Sequence, residues 1–321
     1  MTTTTRAHTA TAPLSDRPIR LRHETDAGPL QLHADAKTTP LAHWGEDRRP
    51  VAVIPNAFAL PSGPLDVGGT CPQLSPNACQ ACYAARLESG PFADFARVTV
   101  RNLETLHALH KVGKRAAVDA LCALVDRSAA LQIAAGVASP SFRWLSSGDI
   151  FAPWFAVVVR EVQKARPAVT FWGYTRSVKY LRHLIGDGLP DNARWFVSVD
   201  ADNVRTHGKA AARWGLPCAY LAATSRELAR LRVAVEKMRG EVLPRVICPA
   251  GGAWKGDGLG PSYVSGLDGR RTSLARGRVV GACSACAACL PSSALRDIGF
   301  IRHGGAGSAA VWQRLAVRRR V

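Results

Sequence analysis

Short apolar runs alternating with amphipathic stretches from residue 51 onward predict an α/β fold, a partial (β/α) barrel with about six parallel strands. Three observations carry this prediction. The runs are almost continuously apolar, as strands are when both faces of their sheet are covered. The stretches between them repeat apolar residues at helical spacing, with Leu228, Leu231, Val235 and Met238 sharing one face. Polar residues follow each run, where the chemistry of parallel sheets collects.

The elements follow in order. A first strand is expected at residues 51–54, then a Gly/Pro-rich loop, then a long helical region at 95–127 broken near Gly113. Strands at 142–145, 169–174, 195–199, 218–222 and 242–247 alternate with helices at 154–165, 178–185, 204–214 and 226–239. Right-handed crossovers would bring the post-strand residues to one rim. These are Ser146-Ser147-Gly148-Asp149, Thr175-Arg176-Ser177, Asp200-Ala201-Asp202-Asn203, Thr224-Ser225 and Cys248.

Three regions are expected. Residues 1–48 lack sustained periodicity and read as a disordered or loosely docked N-terminal arm, with a Thr/Arg character that is also that of a transit peptide. Residues 49–250 form the (β/α) core. Residues 251–321 make a Gly-rich and Cys-rich extension, with a short helix at 309–317 and a basic tail, Arg318-Arg319-Arg320.

A chain of 321 residues with 47% hydrophobic content can bury a sizeable core. Its formal charge is +18, and from Ser225 to Val321 there are 17 Lys and Arg against 6 Asp and Glu. That excess in the last third suggests a nucleic-acid partner; a solvated basic surface or an arginine-rich genome would produce the same count. No uninterrupted apolar run reaches the about 18 residues that a membrane helix needs, so no membrane partner is expected. The start of the chain has no apolar core of a secretory signal, so the expected compartment is cytoplasmic.

In that compartment thiols stay reduced, and clustered cysteines read as metal ligands before disulfides. Seven of the nine cysteines cluster: Cys71, Cys79 and Cys82 in the first loop, then Cys283, Cys286 and Cys289 with Cys248 as a fourth member. Cys122 and Cys218 stand alone in apolar surroundings and read as core.

The two-residue gap between Cys79 and Cys82 lets both thiolates reach one centre, and the loop through Pro72 and Pro76 can bring Cys71 round. Three thiolates leave a zinc with a vacant or borrowed fourth ligand, or a 4Fe-4S cluster with one open iron. Ligand softness, and the absence of any His between Cys71 and Arg86, favour iron–sulfur. The second group has the adjacent two-residue gaps of a ferredoxin, and four thiolates suit either a 4Fe-4S cluster or a structural zinc.

The stretch T-C-P-x6-C-x2-C-Y-A-A-R, Asn102 after Arg101, R-W-L-S-S-G-D at Arg143–Asp149 and F-W-G-Y-T-R-S at Phe171–Ser177 together resemble the phage gene product 88-like family. More distantly, a βα chain with three cysteines in its first loop and Gly plus a carboxylate after its second strand is similar to the radical S-adenosylmethionine enzymes. That resemblance implies a 4Fe-4S cluster on Cys71, Cys79 and Cys82, with S-adenosylmethionine as small-molecule cofactor at the open iron. It further implies a cofactor site of Ser147, Gly148 and Asp149, with Tyr83 as an adenine-stacking face, and an auxiliary cluster on the second cysteine group.

Asp149, Arg176 and Asp200 are the candidate catalytic residues on the rim. Each has a plainer reading: Ser146, Ser147 and Asp149 as caps of the 154–165 helix, Asp200 and Asp202 as caps of the 204–214 helix, and Arg176 as a surface ion pair. The expected function is an iron–sulfur enzyme acting on nucleic acid or a nucleotide-derived substrate, against a zinc-stapled nucleic-acid-binding protein without catalysis.

Overall fold

The structure, a computed structural model, describes residues 29–35, 38–39, 54–89, 93–248, 283, 287–301 and 312. Its helices are α1 (Tyr83–Ser89), α2 (Ala93–Val112), α3 (Lys114–Ala134), α4 (Pro153–Ala165), α5 (Leu181–Ile185), α6 (Val204–Trp214) and α7 (Ser225–Arg239). The strands are β1 (Ser141–Trp144), β2 (Thr170–Thr175), β3 (Ala193–Val199), β4 (Cys218–Ala222), β5 (Arg245–Ile247) and β6 (Asp297–Ile301).

These strands form one sheet in the order β1-β2-β3-β4-β6-β5, and every neighbouring pair is parallel. Five of the expected strands are therefore present. The expected strand at 51–54 lies outside the described residues but for Ile54, which is in no strand. Residues 56–60 run along the edge of β1. There Arg143 N–H donates to the Asn56 carbonyl at 2.8 Å, and Phe58 N–H to the Arg143 carbonyl at 3.0 Å. Leu60 N–H continues the edge by donating to the Ser147 carbonyl at 3.0 Å.

The strand order also departs from a barrel succession. β6 enters between β4 and β5, and among the described residues no strand pairing joins β5 back to β1. β6 comes from within the segment expected as an extension. It is anchored by Asp297, fully buried, which accepts from Cys218 N–H at 2.7 Å and the Tyr220 hydroxyl at 3.1 Å and pairs with Arg239 at 3.2 Å. Burial was unreadable from the local sequence because Asp297 stands next to Arg296, in a stretch that looks polar.

From β1 to β4 the sheet advances in one direction, and right-handed crossovers then place the connecting helices on one face. That face holds the main core, in which α4 buries Phe155, Val158, Val159 and Val162 against Phe142, Phe171 and Trp195. Each such side chain contributes about 1.5–3 kcal/mol. Between α2 and α3 the chain breaks at Gly113, whose φ of +150° suits glycine. α7 starts on a cap: Thr224 Oγ1 accepts from Glu227 N–H at 3.1 Å, while the Glu227 carboxylate accepts from Ala223 N–H at 2.7 Å. Thr224, expected on the rim, thus serves this helix.

The opposite face is covered by the C-terminal segment. Phe196, Ala219, Ala288 and Ile298 form a small core there, flanked by Tyr174, Phe300, Cys248 and Cys289. Arg194 holds that segment down, donating to the carbonyls of Pro291 at 2.9 Å and Ser293 at 2.8 Å.

Part of the expected N-terminal arm is docked as well. Leu30 is buried in the main core, Gln31 N–H donates to Asn102 Oδ1 at 2.8 Å, and Asp35 pairs with Arg143 at 2.9 Å. The rest of the arm, the expected helix at 309–317 apart from Trp312, and the basic tail lie outside the described residues.

Candidate functional site

Because all strands are parallel, the loops that follow them open at one rim, and the first cysteine loop is tied across that rim by polar contacts. Asn77 donates from its N–H and its side-chain amide to Asp202, at 2.8 and 2.6 Å. Ser75 Oγ accepts from Arg176 Nη1 and from Asn203 Nδ2, both at 3.1 Å. Arg176 Nη1 also pairs with Asp200 at 2.6 Å and approaches Cys79 Sγ at 3.9 Å. Arg176 is 16% exposed and Asp200 4%, so this is a buried ion pair against the cysteines, and not the surface pair of the plainer reading. Asp200 and Asp202 do not cap α6 either: Asn203 is its N-cap residue, and no side chain caps it.

Asp149 is buried and fully engaged. Its Oδ1 accepts from the Thr175 hydroxyl at 2.6 Å and Ile150 N–H at 2.7 Å, and its Oδ2 from Arg176 N–H at 2.8 Å. Burial raises its pKa, with these hydrogen bonds pulling the other way. Asp149 therefore brackets the turn after β1 to the turn after β2, and it does not cap α4, whose N-cap is Ala152. The turn begins at Leu145 with φ +54° and continues through Gly148 with φ +76°. A Cβ on Gly148 would stand 2.3 Å from Thr70 Oγ1, so glycine lets the cysteine loop pack against the turn. Ser147 Oγ donates to Glu88 at 3.0 Å, and Glu88, on α1, also accepts from Ser62 N–H at 2.7 Å.

The three loop thiols lie within electrostatic reach of one another. Burial pushes all three pKa values up, that of Cys82 to about 11, while Arg176 partly offsets the rise at Cys79. Ser75 N–H points at the Cys79 sulfur at 3.3 Å, and Cys71 N–H donates to the Gly63 carbonyl at 2.8 Å. Trp312 closes over the group, packing with Val67, Ala85, Cys79 and Cys82, and its indole N–H donates to Ser62 Oγ at 3.1 Å. As the side chains stand, no three His, Cys, Asp or Glu groups among the described residues are gathered closely enough to hold a metal ion.

Tyr83 leaves the loop in the other direction. It is 56% exposed, yet its hydroxyl turns inward to donate to the Ser146 carbonyl and accepts from Arg143 Nη2 at 3.3 Å. Beyond Arg143 lies the second group. Cys283 stands within electrostatic reach of Cys248, Cys289 and Arg143, and the Tyr174 hydroxyl is 2.9 Å from Cys289 Sγ. Cys286 lies outside the described residues.

Sequence reasoning missed Arg143, Tyr174, Glu88 and Trp312. The first two carried a usable signal: alternation along β1 and β2 puts Arg143, Trp172 and Tyr174 on the face opposite Phe142 and Phe171. Glu88 and Trp312 carried none, because their partners are distant in the chain.

Fold and site together define a parallel α/β protein with two cysteine groups linked across its rim. The chain belongs to the gene product 88 family, whose model matches residues 30–290. It is 28% identical over 179 residues to the Gene 88 protein of Mycobacterium phage L5, covering 54% of this chain and 70% of that protein. To the Gene 88 protein of Mycobacterium phage D29 it is 27% identical over 175 residues, covering 54% and 69%. No solved structure matches the chain. Among the described residues no helix is long and apolar enough to cross a membrane.

Proposed function

We propose that the chain is an iron–sulfur enzyme whose cluster is held by Cys71, Cys79 and Cys82 and keeps one iron open to a small-molecule ligand. The observation that carries this reading is the pair of donors at Cys79 Sγ, Ser75 N–H at 3.3 Å and Arg176 Nη1 at 3.9 Å, with Cys71 and Cys82 in electrostatic reach. A neutral thiol is a weak acceptor and gains little from them, whereas a thiolate in a metal shell is stabilised and tuned by them. Burial opposes the thiolate form and leaves a metal to offset that cost. Free thiols with raised pKa values stay protonated at neutral pH, and a metal in their midst deprotonates them.

The loop that carries the cysteines is pinned to the rim through Asn77 on Asp202 and Ser75 on Asn203 and Arg176. When bound, the cluster supplies one-electron chemistry and a Lewis-acidic iron. Arg176 balances thiolate charge, Asp200 holds Arg176, and Asp149 keeps the two turns in register. S-adenosylmethionine is the ligand that the resemblance implies. Asp149 does not fit the role of ammonium acceptor, because both of its oxygens are engaged within the protein. The basic last third supports nucleic acid, or a nucleotide-derived compound, as the substrate class.

Anaerobic reconstitution with iron and sulfide tests the reading. Bound iron and sulfide with cluster absorption, reduced when Cys71, Cys79 and Cys82 are replaced together by Ala, is expected. Protein that holds only zinc under those conditions sinks it and leaves the zinc-stapled nucleic-acid binder. Release of 5′-deoxyadenosine from S-adenosylmethionine on reduction supports that ligand; its absence from cluster-loaded protein removes the ligand and leaves the cluster.

A further inference from the structure

Charge is shared out unevenly among the described helices. α2, α3 and α4 together hold eight Lys and Arg against five Asp and Glu, and several of these cations are paired: Arg97 with Asp94 at 2.8 Å, Arg115 with Asp119 at 2.9 Å, Arg160 with Glu161 at 3.1 Å. α6 and α7 hold eight against two. Both of those acids are already committed, Glu236 to Arg232 at 2.5 Å and Glu227 to Ala223 N–H at 2.7 Å, and Arg239 is drawn inward by Asp297. Six cations remain: Arg205, Lys209 and Arg213 on α6, and Arg226, Arg230 and Lys237 on α7. All six are exposed, and none has an ion pair or a side-chain hydrogen bond among the described residues. A genome-wide bias toward arginine adds cations to every helix and does not by itself empty α6 of acids.

Helical spacing gathers the six on one surface. Arg205, Lys209 and Arg213 are four residues apart, about 6 Å of rise each, on the side of α6 opposite His207, Gly208 and Ala211. Arg226, Arg230 and Lys237 stand opposite Leu228, Leu231 and Val235, the buried stripe of α7. The two helices meet at Gly208, where a Cβ would come within 2.5 Å of Met238 Cε and 3.1 Å of Val235 Cγ2. Glycine there lets the axes approach and sets the two basic stripes side by side. Both helices follow strands of one parallel sheet, so both stripes begin at the rim, where Asp202, just ahead of α6, holds Asn77 of the cysteine loop.

We propose that this paired face is a docking surface for the phosphate backbone of a nucleic acid, running from the outer helices to the rim. The proposal rests on the reading of nucleic acid as the substrate class and gives that partner a place on the molecule. A phosphodiester chain carries closely and regularly spaced charge, and rows of unneutralised cations gain affinity by releasing its counterions. Arg offers a fork of donors to phosphate oxygens, and Lys a point charge. An anionic membrane fits the face less well. A helix that lies in a membrane surface turns a bulky apolar face outward, whereas α7 turns Leu228, Leu231 and Val235 into the core and leaves only Ala229 and Val233 as exposed apolar residues.

The test is fluorescence anisotropy of labelled single- and double-stranded DNA and RNA oligonucleotides with the full-length protein across a salt series. One variant combines Lys209→Glu, Arg213→Glu and Arg230→Glu. A control combines Arg101→Glu, Lys111→Glu and Lys164→Glu, exposed cations of α2 and α4, for the same change in net charge. The first variant is expected to lose about tenfold or more in affinity, with a log–log salt slope shallower by about three, while the control stays within about threefold of wild type. If charge reversal lowers the thermal midpoint, the triple variant Lys209→Ala, Arg213→Ala and Arg230→Ala replaces it, with loss in the same direction expected. Wild-type affinity in the variants of α6 and α7, or equal loss in the control, overturns the inference and leaves nucleic acid as a partner bound elsewhere. Wild-type protein that binds no oligonucleotide overturns both. Binding to phosphatidylserine vesicles in place of oligonucleotides does the same and assigns the face to a membrane.

Discussion

Asp149 and Asp200 show how far a single side chain's role depends on its neighbours. Both were candidate catalytic groups, and both are held in networks that fasten loops together: Asp149 to Thr175, Ile150 and Arg176 N–H, Asp200 to Arg176 and Asn203. Replacing Asp200 by Ala would leave the Arg176 guanidinium buried and unpaired. Loss of about 3–5 kcal/mol in urea-induced unfolding is expected, with Asp200→Asn falling between it and the wild type. Asp149 gives a pH signature. Its folded pKa is raised above the ordinary 3.8, so its contribution to stability is fully present below that value and is lost as pH rises through the folded pKa. Asp149→Asn cannot titrate. The stability difference between wild type and this variant should therefore move in favour of the variant as pH rises from the acid side, as read by denaturant unfolding across pH.

At the scale of elements, β6 is the decisive strand. It separates β4 from β5 and brings the second cysteine group onto the face of the sheet opposite the helices. Asp297 anchors it through Arg239, Cys218 N–H and the Tyr220 hydroxyl. Asp297→Ala is expected to cost about 3–5 kcal/mol, because it strips a buried arginine of its partner. Limited proteolysis of that variant should release the C-terminal segment earlier than from wild type, and equal cleavage rates would show that the anchor lies elsewhere. The helices α2 to α7 and five of the strands were readable from the chain because amphipathic and apolar periodicity is a local signal, whereas α1 lies where a loop was expected. Gly113 marked the break between α2 and α3 for the same reason. β6 was not readable: five residues, Asp-Ile-Gly-Phe-Ile, beginning with a carboxylate, reveal a central strand only when Arg239 is seen beside them.

The whole molecule joins two cysteine groups that are about two hundred residues apart in the chain through one short path, Cys82-Tyr83, Arg143, Tyr174 and Cys289. It also carries a net +18, with the excess concentrated in the last third. If that charge serves a nucleic-acid substrate, affinity for single- or double-stranded DNA or RNA should fall linearly on a log–log plot against salt. A salt-independent affinity, measured by fluorescence anisotropy, would remove nucleic acid as the partner.

The sequence alone determined the alternation of helices and parallel strands, the two cysteine groups and the rim on which Asp149, Arg176 and Asp200 stand, since periodicity and short spacings are properties of neighbouring residues. Only the tertiary structure decided that residues 56–60 edge the sheet, that β6 enters it, that Asp149 faces inward, and that Arg143 lies between the two cysteine groups. Those are outcomes of packing, in which burial and long-range hydrogen bonds pair groups the chain keeps far apart.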